Sequence, residues 1–360
     1  MKSTVLLVMV FWSLGLAASE GDSLKTSNLR IGFLSDYGFI IPHRPHMKSL
    51  VRGHSPAIRL HAEWQCSGEK DWHQVYGKPY VGVEWQLIDL GNPEQLGYSN
   101  ALYSYIRLPL NSRRDRLNDL RIGVGLVYLS KQYDIIENGK NLAIGSPING
   151  AVIFQYLNSI PLNKRLWLST GIGITHFSNA AYQVPNLGMN LATVSLGLEW
   201  MDVKSREPQF TTKGEKQKNG LMLSTAFGVN ENFPPGGPKF LASNFGVEYG
   251  YGISPKSTVQ ARVDLFYSEA LYSEMREDEE VTRQKALQSG VAIGYGLHFG
   301  AFMIRIQTGL YLVDSYRANG IIYNRFGFQR SFGDHFVTHL GIKTHFAKAQ
   351  NFELGCGWKF

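Results

Sequence analysis

The chain is written largely in a two-residue period. Val81, Val83, Trp85 and Leu87 alternate with Gly82, Glu84 and Gln86. Val259, Ala261, Val263 and Leu265 alternate with Gln260, Arg262 and Asp264, and Phe302, Ile304, Ile306, Leu310 and Leu312 alternate with Arg305 and Gln307. At the end of the chain Phe352, Leu354, Cys356, Trp358 and Phe360 oppose Asn351, Glu353, Gly355, Gly357 and Lys359. Side chains two apart share a strand face, so each segment reads as a strand with one apolar and one polar side. Starts fall near Asn28, Ser55, Lys78, Tyr98, Leu120, Ile148, Leu166, Leu191, Gly220, Phe240, Ser257, Leu287, Ala301, Gly320, His335 and Asn351. The fold class is all-β and antiparallel, with about sixteen strands. Fourteen would also fit, because the segments near Tyr103 and Tyr323 are weakly patterned.

This alternation suits either a soluble sandwich or an outer-membrane barrel whose apolar row faces lipid and whose polar row lines a lumen. Three features favour the transmembrane barrel. Glu84, Glu199, Arg262, Asp264 and Arg305 put charge in mid-strand, as a wet lumen permits. Tyr103, Tyr128, Trp200, Tyr267 and Phe346 end strands with aromatic residues, which suits interfacial girdles. The last residue, Phe360, closes an alternating strand, as in the C-terminal signal by which the barrel-assembly machinery takes up bacterial outer-membrane proteins. The polar segment Asp202 to Asn219 could separate two eight-stranded barrels. A single large barrel over residues 20–360, with this segment as an oversized turn, is the simpler expectation. Loops such as Asn230 to Lys239 and Ser268 to Ala286 are long and expected outside, and by the same parity so is the loop after Ser178.

Composition adds location. Lys2, the apolar run Val5 to Ala17 and Ala17-Ala18-Ser19 read as a signal peptide over residues 1–19. No later apolar run could span a bilayer as a helix, so any crossing must use strands. The mature chain is therefore expected in the outer membrane of a Gram-negative cell. The net charge of +7 does not fall in one run, so its first reading is solvated turns and a polar lumen, and no nucleic-acid partner is expected. Its sharper meaning is attraction to an anionic surface such as lipopolysaccharide phosphates. Two distant cysteines, Cys66 and Cys356, exclude a disulfide framework. No zinc, haem or nucleotide signature is present, and no cofactor is expected. His43, His46 and His54 have no metal spacing and read as loop histidines.

One strand breaks the pattern. Leu166, Leu168, Ile172 and Ile174 form an apolar row, and His176 and Ser178 continue it. On the next strand Ala192, Val194, Leu196, Leu198 and Trp200 share a face that extends back to Asn190. A polar side chain facing lipid is costly unless paired or near the interface. Three together suggest a hydrolase, with Ser178 as nucleophile, His176 as general base and Asn190 orienting the imidazole. The bland alternative is that these residues only mark the interfacial end of a strand.

The segment His176-Phe177-Ser178-Asn179-Ala180, then Pro185-Asn186-Leu187-Gly188, then the strand Thr193 to Trp200, resembles the lipid A 3-O-deacylases of the PagL type. The resemblance covers residues 28–202 at most and is sharp from Gly171 to Trp200; residues 220–360 supply additional strands. It implies an outer-membrane barrel that removes an ester-linked 3-hydroxyacyl chain from lipid A. It also implies that His176 and Ser178 are base and nucleophile, that Asn179 supports the oxyanion with the Ala181 amide as helper, and that Asn186 is a polar member of the motif. Two departures stand out. Asn190 occupies the place of the family's catalytic Glu, and the family barrel has eight strands, about half of those here. The non-enzymatic alternative is a PagL-like barrel serving as a pore or structural protein.

Overall fold

A computed structural model describes residues 29–111, 115–201, 214–275, 282–317, 319–346 and 348–360. The expected signal peptide, most of the 202–219 segment and residues 276–281 of the Ser268 to Ala286 loop lie outside the described residues. The chain forms two compact units: residues 1–179 with 185–212, and residues 180–184 with 213–360.

The first unit contains β1 (Leu29–Ile40), β2 (Ser55–Gln65), a short helix α1 (Asp71–Val75), β3 (Tyr80–Asp89), β4 (Tyr98–Pro109), β5 (Leu117–Leu129), β6 (Ile148–Pro161), β7 (Leu166–Ser178) and β8 (Met189–Met201). The second contains β9 (Gly220–Glu231), β10 (Lys239–Ser254), β11 (Ser257–Ser268), α2 (Glu269–Met275), β12 (Leu287–Phe299), β13 (Phe302–Val313), β14 (Ile322–Phe332), β15 (Phe336–His345) and β16 (Lys348–Lys359). All sixteen expected strands are present.

Their closure corrects the expected single barrel. β8 returns to β1, pairing Trp200 with Ile31 and Leu191 with Ile40, and β16 returns to β9, pairing Trp358 with Leu223. Each set of eight is a closed antiparallel barrel. The physical reason lies in the inward side chains. Eight strands enclose a space that side chains can fill, whereas sixteen leave an aqueous channel. Arg107 on β4 crosses the first lumen to Glu199 on β8, 2.5 Å away, a reach that a wide barrel would not allow. Arg107 also meets Asp119 at 2.8 Å, Arg30 meets Glu63 at 3.0 Å, and Arg59 joins Asp36 and Glu84. In the second lumen Arg325 bridges Asp264 (3.0 Å) and Glu353 (2.8 Å), and Arg262 joins Asp264 at 2.7 Å. Charges removed from water must be paired in this way. The mid-strand charges of the sequence therefore fill the lumens instead of lining open channels.

Outside, the arrangement inverts that of a soluble protein. Phe33, Leu60, Leu102, Val194 and Leu196 on the first barrel, and Phe245, Val263, Ile293 and Ile306 on the second, are exposed. No helix among the described residues is long and apolar enough to cross a membrane; the strands supply the apolar wall. Tyr103 is a correction to the expected girdle, since it is buried in the first lumen with its hydroxyl hydrogen-bonded to the Gln86 side-chain amide. Tyr323 points inward likewise and donates to Asp264. Aromatic side chains in the polar row explain why these two strands looked weakly patterned. Tyr128, Trp200 and Phe346 do face outward.

At the end of the first barrel opposite its termini, the interior is apolar instead of charged. Met47 and Leu50 from loop 41–54, Leu90 and Leu96 from loop 90–97, and Ala143 and Ile144 from loop 130–147 meet Phe177 and Met189 there. The 130–147 loop is itself stiffened. Asp134 accepts the Glu137 and Ile136 amides, which hold its carboxyl below the usual range, and Asn141 donates to the Gln95 carbonyl. The ends of β7 and β8 are thus nailed from inside, which fixes the side chains alternating with Phe177 and Met189.

Candidate active site on the outer wall of the first barrel

Those alternating side chains are His176, Ser178 and Asn190. Ile172 is 61% exposed while Thr175 and Phe177 are fully buried, so His176 and Ser178 lie on the outer wall, half-covered. His176 is the direct cross-strand partner of Asn190. Directly opposite residues bring their side chains into contact range, and His176 Nδ1 stands 2.7 Å from Asn190 Oδ1. A carbonyl oxygen can only accept, so Nδ1 carries the proton and Nε2 keeps its lone pair.

Ser178 ends β7, and its Oγ accepts a hydrogen bond from Asn186 Nδ2 at 2.9 Å. The other end of the same amide, Asn186 Oδ1, accepts the Asn179 backbone N–H at 3.1 Å. Asn186 therefore clamps the turn that carries the serine. The Asn179 side chain points to the barrel interior, where Nδ2 donates to Ser146 Oγ at 2.8 Å. Ala181 lies in the segment grouped with the second unit; its carbonyl accepts the Glu231 amide at 3.0 Å.

The turn itself is strained. Ala180 and Ala181 adopt φ of 54° and 62°, and Gly188 adopts 74°. Left-handed backbone is unfavourable for a residue with a Cβ and persists where the surroundings impose it, often at functional sites. At Gly188 a side chain is disfavoured twice, by the backbone strain of its φ and because a Cβ would stand 3.0 Å from His176 Cε1, so that the imidazole would have to shift. The 187–188 backbone is tied down by Leu187 and Gly188 amides donating to the Leu142 and Ala143 carbonyls, at 3.3 and 3.0 Å.

His43 joins this group, which corrects its reading as an ordinary loop histidine. It lies 3.2 Å through Nδ1 from Asn190 Nδ2 and 3.1 Å through Nε2 from the Leu187 carbonyl. His46 is exposed and His54 stacks on Tyr37. Glu199, the carboxylate further along β8, is buried in the lumen with Arg107 and Ser169. It serves the ion network and not the outer wall.

A repeat also escaped the sequence reading. Gly173-Ile174-Thr175-His176-Phe177-Ser178-Asn179-Ala180 returns as Gly341-Ile342-Lys343-Thr344-His345-Phe346-Ala347-Lys348-Ala349. Aligning the two halves of the chain would have found it. His345 is buried, with Nε2 2.9 Å from the Tyr311 hydroxyl.

An eight-stranded barrel with an apolar exterior, a filled lumen and a second barrel after it defines a tandem outer-membrane β-barrel protein. Residues 57–199 match the family model described as lipid A 3-O-deacylase (PagL), and residues 219–360 match acyloxyacyl hydrolase, C-terminal domain. The two models together span most of the chain, and the protein belongs to the PagL family of outer-membrane lipid A deacylases. No curated relative matches the sequence. Among solved structures, Neisserial surface protein A is similar at 10% identity and a TM-score of 0.34, over 48% of this chain and 96% of that one. The β domain of the Bordetella autotransporter BrkA is similar at 9% identity and 0.24, over 92% and 98%. The Pseudomonas putida toluene transporter TodX is similar at 7% and 0.19, over 93% and 90%.

Proposed function

We propose that the first barrel is a serine esterase that removes the acyl chain ester-linked at the 3-position of lipid A, working at the outer leaflet of a Gram-negative outer membrane. The observation that carries the reading is the His176–Asn190 bond on the lipid-facing wall, 2.7 Å long. It leaves Nε2 as the basic nitrogen, on the same strand face as Ser178.

Ser178 Oγ attacks the acyl carbonyl as its proton passes to His176 Nε2. Collapse of the tetrahedral intermediate breaks the bond to the sugar oxygen, which takes the proton back from His176. Water, activated by the same imidazole, then releases the 3-hydroxy acid and restores the serine. Asn186 Nδ2, already at Ser178 Oγ, holds the nucleophile. Asn179 and the Ala181 amide are the oxyanion donors that the resemblance implies. For Asn179 to serve, its bonds to Ser146 and Asn186 must loosen when substrate binds. Asn190 orients the imidazole but cannot neutralise its positive charge; in the serine-protease template an acid-to-amide change lowers the rate roughly 10⁴-fold.

Substrate enters sideways from the leaflet, its acyl chains lying along Ile172, Ile174 and Val194, all exposed on the same wall. A pore role fits poorly with lumens crossed by ion pairs. The test is the mass of lipid A from Gram-negative cells expressing the chain. Loss of one 3-hydroxyacyl group, absent with Ser178→Ala or His176→Ala, is expected. Unchanged lipid A beside folded, surface-exposed wild-type protein would overturn the reading.

A further inference from the structure

An amide in the carboxylate's place creates a problem that a carboxylate does not have. A carboxylate offers an acceptor oxygen in either orientation, whereas an amide turned by half a revolution offers a donor. If Asn190 turned, its NH2 would face His176 Nδ1, that nitrogen would become the acceptor, and the proton would sit on Nε2. The imidazole could then take no proton from Ser178. Some contact must hold the amide in its productive sense.

We infer that His43 is that contact, a positioning residue that sets the tautomer of His176 through Asn190. The donor and acceptor assignments run in one direction from a fixed point. The Leu187 carbonyl can only accept, so His43 Nε2, 3.1 Å away, carries the proton. Neutral His43 then presents a lone pair at Nδ1, and Asn190 Nδ2 donates to it across 3.2 Å. With its NH2 so occupied, Asn190 turns Oδ1 toward His176 Nδ1. Every group in the row has one consistent role, and the row begins at a backbone carbonyl of the loop that also carries Asn186. Leu187 cannot drift, since its own amide is bonded to the Leu142 carbonyl. His43 therefore supplies to the amide what symmetry supplies to a carboxylate.

This inference deepens the esterase reading and rests on it for its catalytic meaning, but its primary readout does not. Protein labelled with ¹⁵N-histidine in micelles reports each ring's tautomer by nitrogen chemical shift. The wild type is expected to show His176 protonated on Nδ1 and His43 on Nε2. His43→Ala should turn His176 into a mixture of tautomers, and His43→Asn, which keeps an acceptor at the same reach, should restore much of the Nδ1–H form. In the background of Asn190→Asp, isosteric but symmetric, His43→Ala should leave His176 as Nδ1–H, which also shows that removing His43 does not unfold the wall. For turnover, His43→Ala should lower kcat about two- to tenfold with Asn190 present, the range set by one lost hydrogen bond, and leave KM alone. In the Asn190→Asp protein that loss should vanish. An unchanged His176 tautomer in His43→Ala, or an equal kcat loss in both backgrounds, overturns the inference. An inactive wild type with the expected tautomers would instead overturn the esterase reading alone.

Discussion

The ends of β7 and β15 carry nearly the same words and do opposite things with them. Both run Gly-Ile and then Thr-His-Phe, but Lys343 is inserted between Ile342 and Thr344. In a strand a one-residue slip exchanges the two faces. His176 consequently stands on the outer wall beside Asn190, while His345 is buried in the lumen beside Tyr311. The pairing of β15 with β16 shifts register at this point, between Lys343 and Thr344. Downstream, Ala347 and Lys348 stand where the first copy has Ser178 and Asn179. The lesson is that the chemistry resides in parity as much as in residue type. The same histidine is a candidate base on one wall and a lumen hydrogen-bond partner on the other.

The two barrels agree where the demands on them agree. Both fill an eight-stranded interior with arginine–carboxylate networks, Arg107 with Glu199 in one and Arg325 with Glu353 in the other. They differ at the outer rim of β7 and β8, where His176, Ser178 and Asn190 interrupt an apolar wall. The networks recur in both barrels and are read as stabilising, and the rim that carries His176 is where the proposed chemistry is placed.

The largest expected contrast is between the two histidines. His176→Ala should lower release of 3-hydroxy acid from lipid A by at least about 10²-fold, what remains of a triad contribution of roughly 10⁶ once an amide stands in the acid's place, whereas His345→Ala should leave the rate within twofold of wild type. Equal losses would erase the distinction between the walls. Next, Asn190→Glu restores the family's carboxylate, and the rate should rise, by at most about 10⁴-fold. No gain would mean that another group already carries the imidazolium charge. Third, Glu199→Gln strips partners from buried Arg107 and Arg30 and should destabilise the first barrel by about 3 kcal/mol, read from urea unfolding in micelles. Smallest of all, Ala347→Ser in a Ser178→Ala background should recover no hydrolysis, because His345 faces inward. Recovery would show that parity is not what silenced the second copy.

Strands and faces were legible because a period of two is local. Glu84, Arg262 and Arg305 announced a polar interior, and His176, Ser178 and Asn190 announced a breach in the exterior from their place in the rows. The number of barrels was not legible. Closure depends on Leu191 finding Ile40 and Trp358 finding Leu223, and alternation looks the same whichever strand returns to the first. Tyr103 and Tyr323 misled because an inward aromatic residue, satisfied through its hydroxyl, resembles an outward one in a pattern of apolar letters. His43 was invisible for a related reason. Its partners Leu187 and Asn190 lie far along the chain and meet it only once β1 pairs with β8. The repeat at β15 was hidden by Lys343, which moves the motif into the wrong row.

The most direct measurement is the intact mass of the purified protein, in micelles, after exposure to a fluorophosphonate that traps activated serines. A single adduct that maps to Ser178, and that disappears in His176→Ala, is the predicted result. A folded protein that takes up no probe, or takes it up on a serine elsewhere, would contradict the assignment of an esterase to the outer wall of the first barrel.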